Sequence, residues 1–292
     1  MSDLPLPEPV RTDQALDIQH DTDPAQDHGN ARRIPHLGHA AMFFVLAITF
    51  IFMSSFVVLI ATHSFTPQAA LQHPVALVMS LIAAYVLTFA VAIPVFPMLW
   101  MRPFFDGISW VWRAARLRWW KLVLLGCVLA VVAEVLEHLF KTSTKTDMTE
   151  LLKSPAAGWV TVAFGTLVAP ISEEIAFRGF LLPALATAYD WLSLDRTPAG
   201  LHRWQRTSDH TRGAWIFGAV LSSAAFTSIH GGQLHWAGGP LAILFVMSLV
   251  FSAVRVVTRS VAASTIVHIA YDGLLLLQVV VVTHGFHNLS KL

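Results

Sequence analysis

Charge is scarce in this chain: Asp, Glu, Lys and Arg make up 13% of its 292 residues, about half the share usual in soluble domains. The single cysteine, Cys127, excludes an intramolecular disulfide and any multi-cysteine zinc site. Lying in an apolar run, it reads as a small packing residue rather than a redox centre. A net charge of +1 supplies no concentrated basic face, which argues against a nucleic-acid partner. The first 35 residues lack the basic-then-apolar order of a cleavable signal peptide. They hold Pro5, Pro7, Pro9, Pro24 and Pro35 with seven acids, and the stretch 1–37 is expected to be a disordered cytoplasmic tail.

What the chain does have is hydrophobic length. Apolar residues make up 55% of it and the mean hydropathy is +0.61. A hydrocarbon core of about 30 Å takes roughly 20 apolar residues as helix. Candidate spans fall near 39–62, 74–101, 121–140, 157–190, 214–231, 238–257 and 260–283. The expected fold is an all-α polytopic membrane helix bundle of about seven to eight spans. Its amino-terminal helices occupy 38–140, and the last four spans, 157–284, form the helical core on which the motifs described below fall, expected from them to be the catalytic core. Near 103–120, Trp110, Trp112, Trp119 and Trp120 interleave with Arg113, Arg116 and Arg118, the pattern of an interfacial segment. The last two spans share a short basic connection, Arg255 to Arg259, and should form a hairpin. With the amino terminus in the cytoplasm, fourteen basic residues from Arg11 to Arg259 lie inside, and Lys141, Lys145, Lys153 and Lys291 lie outside. That asymmetry orients the chain, and the expected place is a cell (inner) membrane, crossed several times, with the amino terminus in the cytoplasm.

Charged residues within spans are expensive and mark function by default. Here they are Glu134, Glu137, Glu173, Glu174, Asp272 and the lone basic residue Arg178. Unpaired, Glu173, Glu174, Arg178 and Asp272 would cost on the order of 10 kcal/mol, so they must meet each other, water or a metal. Glu174 and Arg178 are i,i+4 and share a helix face, in the favourable order. Glu173 is rotated about 100° away. One carboxylate is thus held by a guanidinium while its neighbour stays free to act as a base. Pro170 removes an N–H just upstream, which would free the carbonyl of Thr166 near Glu173. Phe226 precedes His230 by one turn at the end of the fifth span, where Gly231 and Gly232 allow close approach. His268 and Asp272 are i,i+4 in the last span, so the carboxylate can orient the imidazole. Ser172 and Ser228 are expected to bond to backbone. Glu134, Glu137 and His138 form a second polar group that reads as solvating a helix end, and the remaining histidines as interfacial.

These residues resemble the CPBP (Abi) family of intramembrane endopeptidases, which includes the CAAX prenyl endopeptidases and bacteriocin-processing or immunity proteins. The family pattern reads here as Glu173-Glu174-x-x-x-Arg178, Phe226-x-x-x-His230 and His268-x-x-x-Asp272. The resemblance implies hydrolysis of a peptide bond in a membrane-associated peptide or protein. By position, Glu173 would activate water with His230, while His268 and Asp272 would stabilise the oxyanion or orient the site. An ionised Asp272 cannot donate a hydrogen bond, which favours the orienting role or metal ligation. Glu173, His230 and His268 also match a catalytic zinc set. A divalent metal, zinc by its donors, and a metal-free glutamate mechanism stay open. So does a non-catalytic immunity or partner-stabilising protein on the same fold. Oligomeric state and substrate identity are not readable from the sequence.

Overall fold

The computed structural model describes residues 33–288 except 67, 68, 70, 140–151 and 153. Most of the expected tail, 1–37, therefore lies outside the described residues. Among the described residues ten helices follow one another: α1 (Leu37–Ala61), α2 (Pro74–Trp100), α3 (Phe104–Gly107), α4 (Trp112–Arg116), α5 (Trp119–Leu139), α6 (Pro155–Leu192), α7 (Pro198–Arg206), α8 (Arg212–Ile229), α9 (Gly238–Thr258) and α10 (Val261–Val282). No strand occurs among the described residues. The starts are chemically marked. Ser154, Thr211 and Ser260 each accept a hydrogen bond from the backbone N–H three residues on, satisfying a donor that the first turn leaves orphaned. Prolines at 74 and 155 open α2 and α6, where a missing N–H costs nothing.

Among the described residues six helices are long and apolar enough to cross a membrane: α1, α2, α5, α6, α9 and α10. The expectation of about seven to eight differs chiefly at 214–231. That segment forms α8, 18 residues carrying Ser222, Ser223, Thr227 and Ser228, so its apolar content is lower than that of its neighbours. The Trp-rich segment forms two helices of four and five residues, α3 and α4, too short to span. The hairpin of α9 and α10 is present, turned by Arg259 at φ 53° and Ser260. Arg255, expected in the connection, instead lies within α9 and is buried.

Two compact units are distinguished, residues 195–208 with α7 and the helical body of 33–194 and 209–288. Within the body, Phe43, Phe96, Trp100, Phe104, Phe177 and Phe180 pack α1, α2, α3 and α6 together. A second core joins α5, α9 and α10 through Leu122, Leu129, Met247, Phe251, Val267 and Tyr271. Outward, α1 exposes Phe52 at 71% and Phe56 at 61%. Such surface suits lipid, where helices satisfy their own backbone groups. At one end of the body, Asp190 of α6 accepts from the Thr211 backbone N–H and, at 2.7 Å, from its hydroxyl. His210 Nδ1 donates to the same carboxylate at 2.9 Å, and Arg33 Nη1 approaches it at 3.8 Å. Burial pushes the His210 imidazole below its usual range, against the pull of Asp190.

α5 and α10 meet closely at Gly126. A Cβ there would overlap the Val267 carbonyl oxygen and lie 2.7 Å from the Ala270 methyl. At Gly232 a Cβ would meet nothing within 4 Å. Gly126→Val should therefore destabilise the fold by about 1–3 kcal/mol through overpacking, read as a lowered midpoint in detergent thermal unfolding. Gly232→Ala should leave that midpoint unchanged.

Candidate active site

The site is built on α6, and α6 is not a regular helix. Phe164–Val168 and Ile175–Leu181 are π-helical, and the α-helical turn Ala169–Glu174 lies between them with Pro170 near its start. Widened turns of this kind often accompany functional sites because they re-aim side chains without breaking the helix. The first π segment accommodates the donor that Pro170 lacks: Ala169 N–H donates to Phe164 C=O, five residues back.

The two adjacent carboxylates have opposite environments. Glu174 is 0% exposed, and Arg178 Nη1 stands 2.9 Å from its Oε1. The guanidinium is itself 0% exposed. Its Nη2 donates to the Ser248 carbonyl at 2.9 Å and to the Ser248 hydroxyl at 2.7 Å. The rings of Phe226 and Phe251 lie 4.9 and 5.4 Å from it, the cation–π arrangement suited to a desolvated arginine. Glu173 keeps 15% of its side chain exposed and points to two imidazoles. Its Oε1 is 3.9 Å from His230 Nε2 and its Oε2 is 3.8 Å from His268 Nε2. Both separations exceed a direct hydrogen bond and are the kind a shared water fills.

The two rings are held differently. His230 is the C-cap of α8, where the last carbonyls have no helical partner. Its Nδ1 donates to the Phe226 carbonyl at 2.8 Å. The neutral ring therefore presents Nε2 as an acceptor toward Glu173. Phe226 packs on the ring at 4.7 Å. His268 has a carboxylate at each nitrogen: Nδ1 to Glu174 Oε1 at 3.0 Å, Nε2 to Asp272 Oδ2 at 3.3 Å. A doubly protonated ring donates to both. Phe251 stacks on it at 4.5 Å and 25°.

All six residues singled out from sequence are thus brought together: Glu173, Glu174 and Arg178 from α6, His230 from the end of α8, His268 and Asp272 from α10. Phe226 joins them. The hydroxyls of Ser172 and Ser228 donate to the carbonyls of Val168 and Ala224, each at 2.8 Å. The two glycines after His230 divide the task assigned to them. Gly231 leaves room for the Trp236 ring, which a Cβ would approach at 2.6 Å, whereas Gly232 faces open space. Glu134 lies apart from the site and accepts from Gln278 Nε2 at 2.9 Å. Sequence reasoning missed Ser248 and Phe251. Their signal was the run of Ser248, Ser252 and Arg255 on one face of an otherwise apolar helix. Glu173, His230 and His268 carry the donor types of a zinc site. Among the described residues, however, no group of three or more His, Cys, Asp or Glu side chains is arranged to hold a metal ion.

Residues 155–274 match the family described as type II CAAX prenyl endopeptidase Rce1-like. The match supports the CPBP intramembrane proteases that the three motifs resemble, and the matched stretch contains every residue of the site. No curated protein and no solved structure matches the chain.

Removing one member of a buried ion pair leaves the other charge uncompensated, at about 3–5 kcal/mol. Arg178→Met should therefore lower the unfolding midpoint sharply. The double variant Glu174→Gln with Arg178→Met should recover most of that loss, which a double-mutant cycle measures. Recovery of nothing would mean that Arg178 stabilises through Ser248 alone.

Proposed function

We propose that the chain is an endopeptidase that hydrolyses a peptide bond of a membrane-associated peptide or protein with a water activated by Glu173. One observation carries the reading: of two neighbouring carboxylates, Glu174 is sealed against Arg178 and His268, while Glu173 stays accessible and faces two imidazoles across gaps of 3.8 and 3.9 Å. A water in that gap donates one proton to Glu173 and is oriented by the lone pair of His230 Nε2. Its oxygen attacks the carbonyl carbon as the proton passes to Glu173, and the carbonyl oxygen becomes an oxyanion. The N–H of His268 that faces Asp272 and Glu173 is the charged donor nearest to that developing charge. Collapse of the intermediate breaks the C–N bond, and Glu173 returns its proton to the leaving amine. Asp272 accepts from His268 and orients it. Because the donor groups are not arranged around a metal, the reaction is derived without one. A helix shields its own carbonyls, so the substrate presents an extended or unwound segment. The family match supports a CAAX-type intramembrane protease in general. The proposal adds the water-activating role of Glu173, an amino terminus in the cytoplasm and a place in the inner membrane.

Glu173→Gln is nearly isosteric and removes the base. It should reduce turnover about 10²–10⁴-fold, the usual contribution of general base catalysis, with unchanged abundance and unfolding midpoint. The measurement is the appearance of new peptide termini when detergent-purified protein is incubated with a membrane proteome. Chelator treatment of the wild type should leave the rate intact. Equal termini from both proteins would instead favour a scaffold role for the cluster.

A further inference from the structure

A basic surface rich in tryptophan lies outside the site, at the join of α4 and α5. Between Ser109 and Lys121 the sequence places four basic residues and no acid. The fold turns all four outward. Ala115 of α4 is buried in the core shared with α5, α9 and α10. Around it Trp112, Arg113, Arg116, Leu117 and Arg118 are exposed, and so are Trp119, Trp120 and Lys121 at the start of α5. The Lys121 ammonium stands 5.3 Å from the centre of the Trp120 ring.

This combination selects a partner. A tryptophan ring with its single N–H sits best at the headgroup level of a bilayer. An arginine at that level meets phosphate oxygens, which match its planar fork in paired hydrogen bonds. Where the headgroup adds an ammonium, that group cancels the phosphate charge and meets the arginines as a like charge. Where it adds none, each basic residue near the surface strengthens binding about fivefold. Four cations without a neighbouring acid are therefore complementary to anionic phospholipid.

The inner side of the same segment gives such a contact a consequence. Ser109 C=O accepts from Val261 N–H at 3.1 Å, and Val111 C=O accepts from the Ser260 hydroxyl at 2.9 Å. That hydroxyl in turn accepts from Ala263 N–H and caps α10. On the other side Ile108 is fully buried against α6, where a Cβ on Gly179 would stand 3.3 Å from its own Cβ. Gly179 follows Arg178 directly. The segment is thus held between α6 and α10, the two helices that carry Glu173, Glu174, Arg178, His268 and Asp272.

We propose that the exposed face of 112–121 is a docking surface for anionic phospholipid, and that lipid seated there steadies the first turn of α10. The inference stands apart from the peptidase reading and does not require that the site cleave peptides.

Detergent-purified full-length protein is titrated with phosphatidylglycerol and with phosphatidylcholine of the same acyl chains, and bound lipid is counted by native mass spectrometry. Phosphatidylglycerol should bind at least tenfold more tightly. Arg113→Gln, Arg116→Gln and Arg118→Gln together should weaken it at least tenfold, with phosphatidylcholine binding and the lipid-free unfolding midpoint unchanged. Replacing three other exposed arginines by glutamine, Arg196, Arg203 and Arg206, should keep the preference. Hydrogen exchange of peptides covering 260–265 should slow at least twofold when phosphatidylglycerol replaces phosphatidylcholine, in the wild type and not in the 113/116/118 variant. Equal affinity for the two lipids, a preference that survives the 113/116/118 substitutions, or an equal loss on replacing the other three arginines overturns the docking surface. Unchanged exchange in the wild type overturns the effect on α10.

Discussion

The organisation of this protein depends on one buried contact, the pairing of Glu174 with Arg178. Two charges taken out of water repay their desolvation only when geometry is good and the remaining donors are satisfied. Here three other helices meet that requirement in part, with Arg178 Nε and Nη1 and Glu174 Oε2 lacking a hydrogen-bond partner among the described residues. Ser248 of α9 accepts twice from Arg178, His268 of α10 meets Glu174, and Phe226 of α8 covers the guanidinium. Two of these partners bring a second function with them. Phe226 also packs on His230, and His268 turns its other nitrogen toward Asp272 and Glu173. Enclosing a structural ion pair thereby assembles the groups around the neighbouring carboxylate. The pair need not touch a substrate to be indispensable to the site.

The same economy explains why the two glutamates are adjacent. Consecutive residues on a helix diverge by about 100°, so Glu174 can point into a dry core while Glu173 points to a wetter gap. The π segments on either side let α6 hold this arrangement over a length that a regular helix with Pro170 would distort. Phe177 and Phe180, within the second π segment, anchor it against α1 through the rings of Phe44 and Phe43 at 5.5 and 4.4 Å, and against α2 through Phe96 at 4.8 Å from Phe180. The amino-terminal helices contribute none of the six site residues. Their role is to fix the helix that carries three of them.

Much of this was legible in the sequence, and the reason is cost. An acid in an apolar run has few affordable explanations, so Glu173, Glu174, Arg178 and Asp272 announced themselves, and i,i+4 spacing paired Glu174 with Arg178 and His268 with Asp272. The membrane-spanning character and the all-α fold followed from hydropathy alone. What stayed hidden was cheap at the level of sequence. A serine in a membrane helix ordinarily bonds its own backbone, so Ser248 taken singly was not marked as the partner of a buried arginine, and only its run with Ser252 and Arg255 on one face carried a signal. Arg255 stood near a basic turn and read as part of it, because a helix boundary is not encoded sharply enough to place one residue inside or outside. The π segments carry no periodic signature. α8 departs from the pattern of the other spans because Ser222 and Ser223 face protein rather than lipid, and hydropathy averages over both faces.

The position of His230 shows how a helix end becomes chemistry. A mid-helix histidine would find the carbonyl four residues back already bonded to its own backbone N–H, leaving the ring without a fixed tautomer. At the C-cap, the backbone N–H of His230 goes to Thr227 instead, and the carbonyl of Phe226 is left for the ring. The orphan acceptor that every helix terminus produces is thus what holds the imidazole with its lone pair toward Glu173. The turn that follows is non-helical backbone, with Trp236 N–H donating to Gly231 C=O at 2.8 Å. Backbone of that kind is tolerated at membrane depth only where protein or water covers it. Ending α8 at His230 therefore solves two problems with one break: it fixes the tautomer of the imidazole and brings polar backbone, with its demand for water, beside the carboxylate that needs one.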